Sequence, residues 1–322
     1  MRDAKTLFGL EPDDRILTNI EMLNVSDVLE SLIVIGSGAV GVEFASIFRT
    51  FGAEITLLEF QSSLVPVEDE EISKELARLF KKRGIDLNTG AKVEKIERTA
   101  AGVRVEWIAS NGSRMTKEAD KVLLAVGRTP HTANLGIENT RIERERGFVK
   151  VDEAHQTAEP GIYAIGDIVA GLPQLAHVGA MSGIVAVTKI AGRPYRAVKP
   201  NRVPACTYSE PQIGSVGLTE QQARSAGIEI RVGRFPFAGN SKATILGNHD
   251  GFVKVIADAH SGEILGVHII GPQATELIAE AVAVIDLEGM IDELLFTIHA
   301  HPTLGEAMLD AYAAVEGMAI NA

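Results

Sequence analysis

Three glycines in a G-x-G-x-x-G spacing, Gly36, Gly38 and Gly41, constrain this chain more than any other feature. They follow the apolar run Leu32-Ile33-Val34-Ile35, which reads as a buried strand. They precede a helical pattern of Val42, Phe44, Ala45, Ile47 and Phe48. In a strand–turn–helix unit each glycine has a task. Gly36 makes the tight turn, Gly38 lets the backbone approach a pyrophosphate, and Gly41 lets helix and strand pack closely. The pyrophosphate would rest on free N–H groups at the helix N-terminus, where the helix dipole favours negative charge. A second apolar strand, Ile55-Thr56-Leu57-Leu58, ends in Glu59, close to the spacing of about 20 residues at which such units carry a ribose-binding acid. The next residues are Phe60, Gln61, Ser62 and Ser63, with no arginine, so a 2′-phosphate would face Glu59 without a cation. The pattern reads as NAD rather than NADP. An ordinary βαβ unit with a structural glycine turn is the alternative.

The length of 322 residues predicts about two domains, and 46% hydrophobic residues suffice for packed cores. Acids outnumber bases to a net charge of -12 with no long basic run, which argues against nucleic acid and anionic membranes as partners. No apolar stretch approaches the roughly 20 residues of a membrane span. The start Met1-Arg2-Asp3-Ala4-Lys5 lacks a signal-peptide core. A single cysteine, Cys206, rules out an intrachain disulfide. A cytoplasmic protein is the expectation.

Along the chain, residues 1–30 read as a linker, with Ile16-Leu17-Thr18 as a short strand within it. Residues 31–126 form one unit. In it Glu68-Asp69-Glu70-Glu71 opens a helix with Ile72, Leu76, Leu79 and Phe80 on one face, and Gly84 stops it. Short strands follow near 85–87, 93–96 and 103–108, with Asn111-Gly112 as a hairpin turn. The run 122–126 returns as a buried strand. Residues 127–197 run through loops to Gly161–Asp167, read as a strand ending in an acid, and then a small-residue helix over 176–191. Prolines 194, 200 and 204 mark a boundary. From there an α+β unit is expected, with strands near 214–217, 228–235, 252–257 and 264–270. A helix opens at Thr219, Ile245-Leu246-Gly247 reads as a turn, and three helical stretches fill 273–316.

The motifs together resemble the pyridine nucleotide-disulfide oxidoreductases. Besides the glycine turn, the likeness rests on Val126-Gly127-Arg128-Thr129-Pro130, Tyr163-Ala164-Ile165-Gly166-Asp167 and Gln174-Leu175-Ala176-His177. It also rests on Cys206-Thr207-Tyr208-Ser209-Glu210-Pro211 and on Thr297-Ile298-His299-Ala300-His301-Pro302-Thr303-Leu304. The last motif, with Glu59, favours the branch that acts on dihydrolipoamide over glutathione reductase.

The resemblance implies an α/β fold: a Rossmann-like NAD-binding domain (31–126), part of an FAD-binding domain (127–197) and a C-terminal α+β dimerisation domain (198–322). It implies NAD contacts from Gly36, Ser37, Gly38, Ala39, Val40, Gly41, Val42, Glu43 and Glu59, with Val93 and Gly127 bordering them and Val40 and Glu43 near the nicotinamide. Asp167 would meet the ribityl-diphosphate region of FAD, and Gln174, Leu175, Ala176 and His177 its ring. His301 would be the catalytic base and Glu306 the acid orienting it, serving a homodimer that can join a 2-oxoacid dehydrogenase complex. The family's own flavin-binding glycine turn and Cys-x-x-x-x-Cys segment do not occur in these residues. Truncation or a split enzyme, unable to complete the reaction alone, is therefore expected, with exposed apolar side chains near Ile162–Ile165. Gly305 stands where the family usually has Ser.

Chemistry supports the His301–Glu306 pairing on its own terms. A thiolate is the nucleophile, a histidine can take the thiol's proton, and a carboxylate on the other ring nitrogen fixes the tautomer. Glu306 lies five residues on, so a turn must bring the two together. An ordinary helix-start histidine is the plain reading of the residue types. His299 and His301 lack a third metal ligand, and no metal is expected. Cys206 reads as a buried small hydrophobe. Two other functions fit in part. One is an NAD-binding dimeric assembly module without redox activity. The other is a hydrolase using His301 and Glu306 with Ser209 or Ser241, although no G-x-S-x-G elbow is present.

Overall fold

The computed structural model describes residues 9–321. The start at Met1–Lys5 lies outside them. The chain divides into two compact units, one of residues 128–203 and the other of the preceding residues together with Pro204 onward.

In the larger unit, strands β1 (Ile16–Leu17), β2 (Ser31–Ile35), β3 (Glu54–Glu59) and β4 (Asp86–Thr89) join a later strand in a five-stranded parallel sheet. Helix Ala39–Thr50 connects β2 to β3, and helix Glu70–Lys82 connects β3 to β4. Apolar runs such as Leu32–Ile35 are buried, as strands covered on both faces require. The second helix starts as its sequence dictates: Asp69 caps it by accepting from the Glu71 N–H, acids fill the first turn and Lys81 and Lys82 the last. Strands β5 (Lys92–Arg98), β6 (Val103–Ile108) and β7 (Arg114–Ala119) form an antiparallel sheet of their own. Strand β8 (Lys121–Leu124) then returns to the parallel sheet between β1 and β2.

Residues 9–30 are therefore not the linker that the turn-rich composition predicts. β1 pairs with β8, and Ile16 and Leu17 are buried. The short strand read at Ile16-Leu17-Thr18 is present as Ile16–Leu17; its partner β8, far along the chain, is what makes the segment part of the sheet and not a linker.

The smaller unit has little regular structure. Its β9 (Arg144–Glu145) and β10 (Phe148–Val149) form a hairpin, and Ile137, Val149, Ala164 and Val169 make a small core. The predicted strand at 161–167 is absent. Gly161 and Gly166 both take positive φ, leaving one isolated bridge from Tyr163 to Gln156 and a 3-10 turn at Gly166–Ile168. Ile162 and Ile165 are 41% and 44% exposed. Helix Ala176–Ile190 follows, with Met181, Ile184, Val187 and Ile190 on its exposed side.

From Pro204 the chain rejoins the larger unit. Strands β11 (Ala205–Thr207), β12 (Gln212–Gly217), β13 (Ile230–Pro236), β14 (Phe252–Asp258) and β15 (Ile264–Gly271) form an antiparallel sheet ordered β11-β12-β15-β14-β13. Helices Ala274–Asp286 and Glu306–Val315 bury Ile278, Met308 and Tyr312 against it. The expected turn at 245–247 is instead the end of helix Ser241–Leu246, closed by Gly247 in the left-handed conformation.

The two large sheets share a core, since Ile213, Phe252 and Ile270 pack with Leu76 and Phe80. They also share a buried charge cluster. Lys254 Nζ lies 2.9 Å from Asp69, 2.7 Å from Glu71 and 2.7 Å from Glu220. A buried ammonium is tolerable only when paired this fully.

Candidate functional site

The glycine turn opens a cleft of about 580 Å³ at the carboxyl ends of β2, β3 and β8, the edge where open α/β sheets bind ligands. Gly36, Ser37, Gly38, Glu59, Val93 and Gly127 line it. Gly36 has φ +99, and a Cβ there would lie 2.5 Å from the Ala125 carbonyl oxygen. A Cβ on Gly41 would lie 1.9 Å from the Gly36 carbonyl oxygen. Gly38 is different: a Cβ would meet nothing within 4 Å. It is the N-cap of helix Ala39–Thr50, whose first turn has no side-chain cap. The backbone thus offers uncapped N–H groups beside open space, which suits a pyrophosphate.

Glu59 is 7% exposed. Its Oε2 accepts from the Ser37 N–H at 2.7 Å and the Ser37 hydroxyl at 2.8 Å, and its Oε1 from the Gln61 N–H at 2.6 Å. Those donors make a buried carboxylate tolerable and aim it at the turn. Among the other predicted nucleotide residues, Ala39 is exposed and Val40 half-buried in the first helical turn, whereas Gly41 and Val42 are buried. Glu43 accepts from the Tyr208 N–H at 2.9 Å, tying the helix to the C-terminal segment. The sequence reading missed Lys92, which also lines the cleft. It enters from β5, a strand beyond the residues that follow Glu59, so no local pattern announces it.

The second constellation sits on the loop before helix Glu306–Val315. His301 Nδ1 lies 2.9 Å from Glu306 Oε1, and the Thr303 N–H donates to Glu306 Oε2 at 2.9 Å. As expected, a turn and not one helix face brings the pair together. Thr303 is held by its hydroxyl bond to the Ala300 carbonyl at 2.7 Å, and its own carbonyl accepts from Asn240 at 3.0 Å. With Nδ1–H donated to a carboxylate, Nε2 of the neutral ring is an acceptor, on a side chain 69% exposed. Burial raises the Glu306 carboxyl, but the Thr303 N–H and the His301 and His299 imidazoles outweigh it and hold it below 4.5. His299 meets Glu280 at 3.1 Å, a partner no spacing predicts.

Other candidates take ordinary roles. Ser209 is buried and donates to the Pro211 carbonyl at 2.7 Å, and Ser241 is an exposed first residue of its helix. Cys206 is half-buried rather than buried, beside the Thr275 carbonyl, and burial pushes its thiol up. In the smaller unit, exposed Asp167 lies 3.8 Å from Arg128, and Gln174 donates to the Asp167 carbonyl at 3.3 Å. Leu175, Ala176 and His177 begin the helix there.

The chain matches known proteins over most of its length. Residues 7–183 match the pyridine nucleotide-disulphide oxidoreductase family and residues 203–312 its dimerisation domain. The chain belongs to that family of NAD(P)-dependent flavoprotein reductases. Within it, the chain resembles the dihydrolipoyl dehydrogenases. It is 42% identical to that of Bacillus subtilis, covering 98% of this chain and 67% of the relative. It is 43% identical to that of Rhizobium etli, covering 99% and 66%. It thus spans about two-thirds of the length of these relatives. Among solved structures, LpdA from Mycobacterium tuberculosis superposes with a TM-score of 0.86 at 29% identity, over 94% of this chain and 65% of that one. The HOCl-induced flavoprotein disulfide reductase RclA from Escherichia coli gives 0.84 at 29%, over 94% and 68%. No helix among the described residues is long and apolar enough to cross a membrane.

Proposed function

We propose that this chain holds NAD in the Gly36–Glu59 cleft and carries the nucleotide and interface portions of a dihydrolipoyl dehydrogenase. The observation that supports it most is Glu59, a carboxylate 7% exposed that lines a cleft beside a turn where Gly36 leaves no room for a Cβ. Gly36, Gly38 and the first turn from Ala39 to Gly41 receive the pyrophosphate, and Glu59 the adenosine ribose. A 2′-phosphate would add its charge beside Glu59, and Lys92 at the rim offsets that only in part, so NAD is preferred over NADP. Val42 and Glu43 continue the same helix, and Val40 and Glu43 would lie toward the nicotinamide.

At the other constellation His301 Nε2 takes a thiol proton, while Glu306 holds the ring in the tautomer that leaves Nε2 free and stabilises the imidazolium. Asp167, Gln174, Leu175, Ala176 and His177 are the residues that would border a flavin. FAD, when bound, supplies a two-electron relay between dithiol and nicotinamide. The domains follow as nucleotide-binding (31–126), partial flavin-binding (127–197) and dimerisation (198–322), in a homodimer able to serve a 2-oxoacid dehydrogenase complex in the cytoplasm. Oxidising a dithiol through a disulfide needs two cysteine sulfurs, and residues 1–322 contain one cysteine. This polypeptide alone is therefore expected to bind NAD without turning over dihydrolipoamide. Neither a hydrolase nor a redox-silent assembly module gains an observation of its own, since Ser209 bonds Pro211 and not His301.

Calorimetric titration tests the reading. NAD⁺ should bind, NADP⁺ should bind more weakly, and Glu59→Ala should cost about tenfold in NAD⁺ affinity, the size of one lost charge-assisted hydrogen bond. No binding, or a preference for NADP⁺, would overturn it, as would turnover of dihydrolipoamide by the chain alone for the second half.

A further inference from the structure

One short segment, residues 60–69, belongs both to the cleft and to the contact with the C-terminal sheet. Phe60, Gln61, Pro66 and Val67 line the cleft. Just beyond them, Asp69 caps helix Glu70–Lys82 and bonds the Lys254 ammonium. The middle of the segment is tied down: the Val65 N–H donates to the Ser37 carbonyl at 3.1 Å, and the Val65 carbonyl accepts from the Glu68 N–H at 2.9 Å. Val65 is buried and has φ +38, a conformation that β-branched residues rarely adopt. Backbone strain of this kind persists only where the surroundings hold it.

The surroundings here are a polar row on the C-terminal sheet. Ser215, His268, Lys254 and Arg234 are register partners across β12, β15, β14 and β13. An ammonium has three donors, and Lys254 uses them on Asp69, Glu71 and Glu220. Arg234 lies 3.5 Å from Glu71, and Arg224 pairs with Glu220. Glu68 is left over. It is half-buried against the Ser215 hydroxyl, with Asp69 and the Cys206 thiol beside it, and among the described residues no cation meets it. An unpaired carboxylate is costly in such a place, whereas a carboxylic acid is not. Burial accordingly pushes the Glu68 carboxyl up to about 7, with the Ser215 hydroxyl opposing the rise and Asp69 adding to it. His268 has the opposite sign. It is buried with Nε2 on the Leu218 carbonyl, and burial pushes it down, so acid and not alkali would disturb it.

We propose that residues 60–69 are a proton-gated strap on the nucleotide cleft: with Glu68 protonated the strap lies against the C-terminal sheet beside its Lys254 peg, and with Glu68 ionised it lifts and slackens the cleft wall. The effect on the ligand rests on the reading that NAD binds in the cleft; the motion of the strap does not. In a lifted strap Glu68 regains its ordinary 4.5, against about 7 when held down. The advantage of the held state is therefore whole below 4.5 and is lost as pH rises to about 7, by up to about tenfold in the lifting equilibrium for each pH unit.

Hydrogen exchange and calorimetry test the two halves separately. Exchange at the Val65 and Glu68 amides, corrected for its intrinsic pH dependence, should quicken about tenfold between about pH 5.5 and 7, while amides of β2 stay protected. Glu68→Gln mimics the protonated form and should show no such rise. Ser215→Ala removes the donor that favours the charged form, so its rise should continue to higher pH. That displacement decides the matter if circular dichroism shows Glu68→Gln unfolded. The wild type should bind NAD⁺ about threefold more weakly at about pH 8 than at pH 6, and Glu68→Gln equally at both. An unchanged wild-type exchange rate, or the same rise in Glu68→Gln, overturns the strap. A moving strap with pH-independent NAD⁺ affinity overturns the gate. No NAD⁺ binding at either pH overturns the underlying reading and the gate with it, while exchange still decides the strap.

Discussion

The nucleotide cleft and the His301 corner each centre on a carboxylate, and they are built in opposite ways. Glu59 is almost fully buried and bonded by backbone and side chain of its own turn, in a place shaped by the absence of side chains. Glu306 is 24% exposed and bonds an imidazole that is 69% exposed. The cleft is thus a steric object, in which backbone closeness comes first and the charge is placed by it. The corner is a chemical object, in which two side chains meet on a short loop and little else depends on them. Damage to the cleft should spread into the fold, whereas damage to the corner should stay local.

The sharpest test of that contrast lies within the glycine turn. Gly41→Ala puts a methyl group 1.9 Å from the Gly36 carbonyl oxygen, so helix and strand must separate. A loss of about 3 kcal/mol or more in chemical denaturation is expected, together with NAD⁺ binding. Gly38→Ala places the same methyl where nothing lies within 4 Å. It should fold with near wild-type stability yet bind NAD⁺ poorly, because the methyl enters the space a pyrophosphate would fill. Equal stability losses in the two variants would erase the distinction between a packing glycine and a ligand-facing one.

A smaller effect is expected at the corner from Glu306→Gln. Burial works against the Glu306 carboxylate, but the Thr303 N–H and the two histidines hold its carboxyl below 4.5. A carboxyl lowered in the folded state stabilises above its unfolded value, and that contribution disappears as pH falls through the folded value. The wild type should exceed Glu306→Gln by about 1 kcal/mol at pH 7, with the gap closing below about pH 4.5. A gap that persists into acid would show that the amide is misfitted and that charge plays no part.

These differences also explain what the sequence could disclose. The glycine turn was legible because much of it is local: Gly41 is required by the Gly36 carbonyl five residues back, and an acid at a strand end follows from the same unit, although Gly36 itself is required by Ala125 at the end of the neighbouring strand β8. Glu306 was reachable through chemistry and a short separation. The strand at Ile16 and Leu17 was legible but its place in the sheet was not, since that depends on pairing with the remote β8. Lys92 and Glu280 come from elements remote in sequence from the residues they accompany, and nothing in composition or period marks them. At 161–167 an apolar run suggested a strand, but the backbone at Gly161 and Gly166 turns through positive φ and the neighbouring segments supply only one bridge.

His301 should show the least effect of all on the folded protein. Its ring is 69% exposed and its one bond reaches a carboxylate that keeps the Thr303 N–H without it. His301→Gln should change stability by no more than about 0.5 kcal/mol and leave NAD⁺ affinity unaltered. What should move is Glu306, whose carboxyl loses the imidazole that helps to hold it down and should titrate higher, a shift readable by carboxyl carbon NMR. Gly305→Ser is the companion measurement. A Cβ there meets only His299 and Thr303, each at 3.6 Å, so the serine fits and the pair should titrate as in the wild type. If His301→Gln instead unfolded the loop, the corner would be structural, and the contrast between a site made by backbone and a site made by side chains would fail where it is most easily measured.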